Sequence, residues 1–299
     1  MVKNRRTQHD RRRTIIQLLV AVISNAYVTG FLEGKIYQGG AKSVCVPGLN
    51  CYACPGALGS CPIGSLQAVI GGRGTFFSWY VGGFLVTIGA TLGRFVCGWL
   101  CPFGWLQDLL YRIPFPKKIR KLPGEKYLAK LRYLVLIVFV LLLPIYLVDF
   151  TGQGSPYFCS WICPSGTLSG LFLLAGNSGL RSAVGWLFAW KNTILAITII
   201  TSLFLYRPFC RYVCPLGAIY GLFNRVSLYR ITVDTKTCTS CKICQKVCKL
   251  DIPIYTDPDS SACIRCGDCI AACPHQSLSG GFVHKNPKKS SLSTDQPLH

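Results

Sequence analysis

Cys238-Thr-Ser-Cys241-Lys-Ile-Cys244-Gln-Lys-Val-Cys248 and Cys263-Ile-Arg-Cys266-Gly-Asp-Cys269-Ile-Ala-Ala-Cys273-Pro274 are the stretches from which the rest of this chain can be read. Both follow the spacing C-x2-C-x2-C-x3-C. Three thiolates in one tight loop can hold three corners of an iron–sulfur cubane. The fourth ligand comes from elsewhere, and in paired runs of this kind each fourth cysteine crosses to the other cluster. The spacing therefore assigns one [4Fe–4S] site to Cys238, Cys241, Cys244 and Cys273, and a second to Cys263, Cys266, Cys269 and Cys248. Structural zinc uses two short cysteine pairs separated by a longer loop, which two unbroken runs of four do not supply.

Over about residues 231–276 the chain resembles bacterial two-cluster ferredoxins, which implies a small α+β domain at 231–282. One departure is visible. Lys249 stands where the first motif usually has proline, and Pro253 follows a few residues on. The polar segment 283–299 reads as a disordered tail.

Upstream, the composition changes the setting. Of 299 residues, 51% are hydrophobic and only 14% charged, too apolar for an ordinary soluble chain of this length. Four apolar stretches, near 14–32, 75–96, 131–148 and 184–206, approach the roughly 20 residues that a bilayer span needs. The sequence thus predicts a basic N-terminus (1–13), a four-span all-α membrane domain (14–230) and the ferredoxin domain. Lys191 falls within the fourth stretch and is expected near one end, reaching the interface. The apolar segment 165–175 is too short to span and reads as interfacial or re-entrant.

The net charge of +21 would suit a nucleic-acid binder if it were spread over one surface. It is instead confined to segments that alternate with the apolar runs. Six basic residues precede the first stretch, nine lie between the second and third and twelve follow the fourth, against five in the other two connections and their flanks. Basic residues stay on the cytoplasmic side. Both termini and the ferredoxin domain are therefore expected in the cytoplasm of a prokaryotic cell, below a multi-pass membrane domain, with no nucleic-acid partner. No small-residue cleavage site follows the first apolar run closely, so a cleavable signal peptide is not expected.

Ten further cysteines lie in the apolar part. Cys97-Gly-Trp-Leu-Cys101-Pro-Phe-Gly, Cys159-Ser-Trp-Ile-Cys163-Pro-Ser-Gly and Cys210-Arg-Tyr-Val-Cys214-Pro-Leu-Gly share one form, and Cys61-Pro-Ile-Gly has its second half. Cysteines four apart on a helix share a face, and proline suits the first turn of a new helix. Two thiolates cannot ligate a cubane, but two such motifs can. Topology pairs Cys97 and Cys101 with Cys210 and Cys214 on the inner side. Cys54, Cys61, Cys159 and Cys163 would form an outer site. Cys45 and Cys51 are left over: they can form a disulfide on that side, or Cys51 with Cys54 can supply ligands in place of Cys61. The result is a two-hairpin pseudo-repeat of spans and Cys-Pro motifs. The histidines lie outside the apolar stretches, so no membrane haem is expected. Asp108 reads as a solvated span end or part of a quinone site, and Trp99 and Trp161 as interfacial anchors.

The Cys-x3-Cys-Pro motifs at 97–102 and 210–215, the apolar stretches and the trailing ferredoxin domain together resemble the NapH-type ferredoxin membrane proteins, with similarity to the cysteine-rich membrane parts of NosR-type regulators and the CcoG type. The resemblance implies electron transfer between a membrane quinol pool or partner redox subunit and soluble carriers. The outer cysteines depart from it and shift the reading toward conduction across the membrane. The expectation is an electron-transfer subunit of an oxidoreductase complex, without a catalytic residue of its own. It would hold about four [4Fe–4S] clusters, with a quinone as a further candidate cofactor. The rival is a redox sensor or copper-handling protein, since soft thiolates suit Cu(I).

Overall fold

The structure is a computed structural model and describes residues 2–72, 79–116, 118–147, 154–176 and 185–282. Helices dominate. α1 (Val2–Ser24) and α2 (Val28–Glu33) lead into a loop that carries Cys45, Cys51 and Cys54, followed by α3 (Pro62–Ile70), α4 (Trp79–Leu92), α5 (Phe95–Trp99) and α6 (Pro102–Arg112). α7 (Glu125–Val135) continues through a π-helical stretch, Leu136–Leu142, into α8 (Leu143–Tyr146). The widened turn stands just before Pro144, whose ring would clash with the carbonyl four residues back in a regular helix. α9 (Tyr157–Trp161), α10 (Pro164–Gly176), α11 (Trp186–Phe204), α12 (Pro208–Tyr212) and α13 (Pro215–Phe223) complete the helical part.

Two helices among the described residues, Tyr127–Tyr146 and Trp186–Phe204, are long and apolar enough to cross a membrane. The four-span expectation is met in part, since α1 and α4 are not among these two helices. α1 begins within the basic run and ends at Ser24, where the Ser24 carbonyl accepts from the Leu58 amide and the Tyr27 amide donates to Gly56. The cysteine loop thus packs against the end of α1. α4 is an apolar helix of 14 described residues within the second stretch. Residues 75–78 of that stretch and residue 148 lie outside the described residues, as does the expected disordered tail at 283–299. The short segment at 165–175 lies within α10.

The helices leave much apolar surface uncovered. Ile15, Leu19 and Val22 on α1, Val86 on α4, Leu134, Ile137 and Ile145 on α7–α8, and Ile197 and Ile200 on α11 are all exposed. An apolar surface of this extent is what lipid, not water, would cover.

The ferredoxin part runs from β1 (Tyr229–Val233) through α14 (Ile243–Val247) and α15 (Asp268–Ala272) to β2 (Leu278–Phe282). The two strands pair antiparallel, with Tyr229 opposite Phe282 and Val233 opposite Leu278. Its two cysteine loops follow the same backbone course. Ser240 and Lys242 have positive φ, as do Arg265 and Gly267 at the matching positions of the second loop, and Asp251 matches Gln276.

This part is packed against the helices, not tethered to them. One hydrophobic core includes Val96, Phe103 and Leu216 from the helices and Ile231, Ile252 and Ile264 from the ferredoxin part. Arg265 is buried and donates to Leu92 O, Ser227 Oγ, Tyr229 O and Asn224 O. Arg120 donates to Lys246 O, Lys121 pairs with Asp251 at 2.8 Å, and Arg13 pairs with Asp268 at 3.5 Å. Basic residues of the N-terminal helix and of the 113–124 loop therefore lie on the same face as the ferredoxin part.

Candidate iron–sulfur sites

The Cys-Pro-x-Gly motifs build one local structure four times. Cysteine precedes the helix and proline is its first residue, at Pro62, Pro102, Pro164 and Pro215. Proline holds the preceding residue extended, and Cys61, Cys101 and Cys214 have ψ of 127°, 114° and 116°. At Cys101 the thiol also caps the helix, accepting from the Gly104 amide, and at Cys61, Cys163 and Cys214 the amides of Gly64, Gly166 and Gly217 lie close enough to favour an anionic sulfur. The Gly104 contact measures 3.4 Å. Helix N-termini present unpaired amides and positive partial charge, which favours an anionic group there.

The inner site forms where α5–α6 meet α12–α13. Cys97, Cys101, Cys210 and Cys214 are buried and within electrostatic reach of one another. Burial pushes the Cys210 thiol up to about 12, reinforced by Cys101 and opposed by Arg207. Such thiols ionise only when a metal takes the proton's place. Two buried arginines clasp the site. Arg207 donates to Cys97 O, and Arg94 to Cys210 O at 3.2 Å. Gln107 Nε2 donates to Cys210 Sγ at 3.0 Å.

Asp108 is buried, not a solvated span end. It takes both Arg207 Nε at 2.7 Å and Arg207 Nη2 at 2.5 Å, with Arg13 at 3.2 Å. Burial works to raise its carboxyl, but the charge and hydrogen bonds of Arg207, then Arg13, outweigh this and lower it below the usual carboxylate range. Arg13 continues to Asp268, which His9 and Lys249 also face at 3.5 and 3.6 Å. Lys249, the departure from proline, also lies over the Tyr206 ring. It holds the ferredoxin part to the helices, a task proline cannot perform.

The ferredoxin cysteines line two cavities. Cys238, Cys241, Cys244 and Cys273 line one. Cys248, Cys263, Cys266 and Cys269 line the other, with Cys244 also on its wall. The inner site touches the second through backbone: a Cβ on Gly98 would run into the Ile264 carbonyl and lie 3.7 Å from Cys266 Cα. Trp99 seals this contact, donating to Arg265 O at 3.2 Å and meeting His9 edge-on. It is a docking residue, not an interfacial anchor, whereas Trp161 is exposed and accepts from Trp190 Nε1 through its carbonyl.

Outer cysteines surround a cavity of about 460 Å³ lined by Cys51, Cys61, Cys159, Cys163 and Lys191. Cys54 lies outside it. Its thiol lies near the Gly56 and Ala57 amides and Ser169, because the turn after Cys51 directs it toward α10. Cys45 faces Ser65 Oγ at 3.8 Å. No two cysteines are joined by a disulfide, so Cys45 and Cys51 are not paired. Lys191 does not reach outward to the interface. Its Nζ donates to Cys159 O at 3.2 Å, beside the cavity.

The outer loop reaches the inner site. The Leu49 amide faces the Cys101 thiol and favours its anionic form, and a Cβ on Gly48 would come within 2.9 Å of Cys101 Cα. Tyr220, fully buried, donates to Pro47 O at 3.2 Å and is within electrostatic reach of Cys97, Cys101, Cys61 and Cys45. The sequence reading did not single out Arg94, Arg207, Gln67, Gln107 or Tyr220. A signal for the glutamines was present: Cys61-Pro-Ile-Gly-Ser-Leu-Gln67 and Cys101-Pro-Phe-Gly-Trp-Leu-Gln107 repeat Cys-Pro-x-Gly-x-Leu-Gln.

The donor sets fit cubanes. With buried arginines, helix N-termini and amide-to-sulfur bonds around all-thiol sites, the fold defines a ferredoxin-type electron-transfer protein. A 4Fe-4S binding domain family model matches residues 74–123, 131–181 and 186–232, one Cys-x3-Cys-Pro motif in each, and a second 4Fe-4S binding domain model matches 257–279. An uncharacterized protein of Methanocaldococcus jannaschii is 32% identical over 203 residues, 66% of this chain and 68% of that protein. The ferredoxin-type protein NapH of Haemophilus influenzae is 29% identical over 63% of each chain. The regulatory protein NosR of Pseudomonas aeruginosa is 25% identical over 65% of this chain and 26% of its own length. No solved structure matches the chain. The chain belongs to the NapH/NosR-like polyferredoxins.

Proposed function

We propose that this protein is an integral-membrane iron–sulfur relay, a non-catalytic subunit that passes electrons between cytoplasmic redox partners and a membrane quinone or an outer-face acceptor. The eight ferredoxin cysteines hold two [4Fe–4S] clusters, divided as Cys238, Cys241, Cys244, Cys273 and Cys263, Cys266, Cys269, Cys248. Cys97, Cys101, Cys210 and Cys214 hold a third, and the outer cysteines a fourth. When bound, such clusters store and release one electron each; the protein supplies their placement and tuning.

The observation that carries this reading is contiguity. Gly98 abuts Ile264 and Cys266, and Gly48, Leu49 and Tyr220 join the inner site to the outer loop. A gap of about 30 Å between membrane faces would be long for direct transfer. The closeness of Gly48 and Leu49 to Cys101 supports a shorter path between the outer and inner sites. The basic N-terminal helix, the 113–124 loop and the ferredoxin part share a face, which supports their common cytoplasmic location.

Anaerobically purified protein should carry about 16 irons per chain with matching acid-labile sulfide. In sealed proteoliposomes, an impermeant reductant on the ferredoxin side should reduce an impermeant acceptor trapped inside, and Cys210→Ala should abolish this. A wild-type chain that transfers nothing, with or without added quinone, would overturn the relay. Transfer only with quinone would identify quinone as the acceptor within the membrane.

A further inference from the structure

The outer cavity repeats the plan of the inner site part by part. Gln107 stands six residues after Cys101 and donates to Cys210 Sγ, the first thiol of the opposite pair. Gln67 stands six residues after Cys61 and donates to Cys159 Sγ at 3.4 Å, again the first thiol of the opposite pair. Gln67 is fully buried, and its Oε1 accepts from the Phe158 amide, which fixes the donor end toward sulfur.

The cations correspond as well. At the inner site Arg94 donates to Cys210 O, and its Nη2 lies 3.1 Å from where a Gly217 Cβ would stand. At the outer site Lys191 donates to Cys159 O, and its Nζ lies 3.9 Å from the same point on Gly166. In both cases the glycine of a Cys-Pro-x-Gly motif leaves room for a cation beside the thiols. Cys61 thus corresponds to Cys101, Cys159 to Cys210 and Cys163 to Cys214. The position of Cys97, four residues before Cys101, is occupied in the outer motif by Ala57.

Cys51 fills that vacancy from the loop. It lines the cavity, lies 3.7 Å from the Gly166 Cβ position and is within electrostatic reach of Cys61, Cys159 and Cys163. We infer that the outer site is a [4Fe–4S] site ligated by Cys51, Cys61, Cys159 and Cys163, with Gln67 and Lys191 as its positioning residues and Cys54 and Cys45 outside the ligand set. This deepens the relay reading and rests on it for the role of the site, but not for its composition.

Full-length Cys51→Ala and Cys54→Ala proteins, purified anaerobically, separate the possibilities. The expected result is about 12 irons for Cys51→Ala and about 16 for Cys54→Ala. One paramagnetic signal of the reduced protein should vanish in Cys51→Ala while the ferredoxin signals persist. Four irons lost in Cys54→Ala and none in Cys51→Ala would overturn the ligand set. About 12 irons in the wild type, with neither variant losing more, would remove the outer cluster and leave the ferredoxin and inner sites standing. Gln67→Leu provides a test that does not depend on the cysteine variants folding. It should keep the full iron content and lower the midpoint potential of one cluster, a different one from that moved by Gln107→Leu. An unchanged set of potentials in Gln67→Leu would also overturn the assignment.

Discussion

Arg94 and Arg207 hold each other's motifs. Arg94 stands three residues before Cys97 yet donates to Cys210 O, while Arg207 stands three residues before Cys210 and donates to Cys97 O. The exchange ties the two halves of the inner site together and places two positive charges beside four thiols. Arg94 also donates to Ser261 O at 2.9 Å, so the same side chain fastens the ferredoxin part. Arg94→Gln cannot make both contacts. It should cost about 3 kcal/mol, the worth of one or two hydrogen bonds to a charged group. Thermal melts in detergent would show the loss, and a melting temperature equal to wild type would mean the clasp contributes nothing.

Gln107 tunes the inner site without being a ligand. An amide donor to sulfur stabilises the more negative, reduced state of a cluster. Gln107→Leu removes the 3.0 Å contact to Cys210 Sγ. A net hydrogen bond of about 1 kcal/mol corresponds to about 40 mV for one electron. The midpoint potential should therefore fall by about that amount with iron content unchanged. Redox titration followed by paramagnetic resonance measures it; a rise in potential would contradict the argument.

Asp108 is the acid that two buried arginines share. Replacing it with asparagine leaves Arg207 and Arg13 short of a counter-charge in a buried site, a change that costs about 3–5 kcal/mol. The pH dependence has a definite sign. The folded carboxyl is lowered by Arg207 and Arg13 despite burial, against an unfolded value of about 3.9. Its contribution is therefore complete above about pH 4 and is lost as pH falls through the folded value. Wild-type stability should drop in that acid window and Asp108→Asn should drop less, starting from a lower value at pH 7. Parallel acid profiles for the two proteins would show that Asp108 does not carry this dependence.

Sequence spacing revealed most of the chemistry and less of the architecture. Runs such as Cys263-x2-Cys266-x2-Cys269-x3-Cys273 are local, and a local spacing directly constrains a local loop. The Cys-Pro-x-Gly motifs are legible for the same reason: proline and glycine have fixed roles at a helix start. Span boundaries were less legible where tertiary contacts meet an apolar run. Leu58 and Gly56 capture the chain after Ser24, and no hydropathy pattern reports that contact. Arg13 was read only as part of a basic N-terminus, and Asp108 and Lys191 as solvated or interfacial, because a lone charge near an apolar run is usually solvated. Their partners lie 255, 99 and 32 residues away in Asp268, Arg207 and Cys159, beyond the reach of periodicity. Cys51 was left open for a related reason: its equivalence to Cys97 is spatial, not sequential.

On the four-cluster reading, iron should be released in an order set by access. Cys241 is exposed, with Cys238 and Cys244 partly so, whereas Cys97, Cys101, Cys210 and Cys214 are all buried. In the other ferredoxin site Cys263 and Cys269 are buried, beneath the contact that Gly98 and Trp99 make with the Ile264–Arg265 turn. A chelator or oxygen reaches thiolate-bound iron only where water does. Mild chelation should therefore remove about one quarter of the iron first, from the site formed by Cys238, Cys241, Cys244 and Cys273. The inner site should be the last to release its iron. Cys241→Ala should start with that quarter already missing and lose the fast phase, while the slower phases keep their rates. Time-resolved iron release with parallel paramagnetic resonance follows both; a fast phase that survives in Cys241→Ala would assign the labile iron to another site, the open outer cavity being the next most accessible.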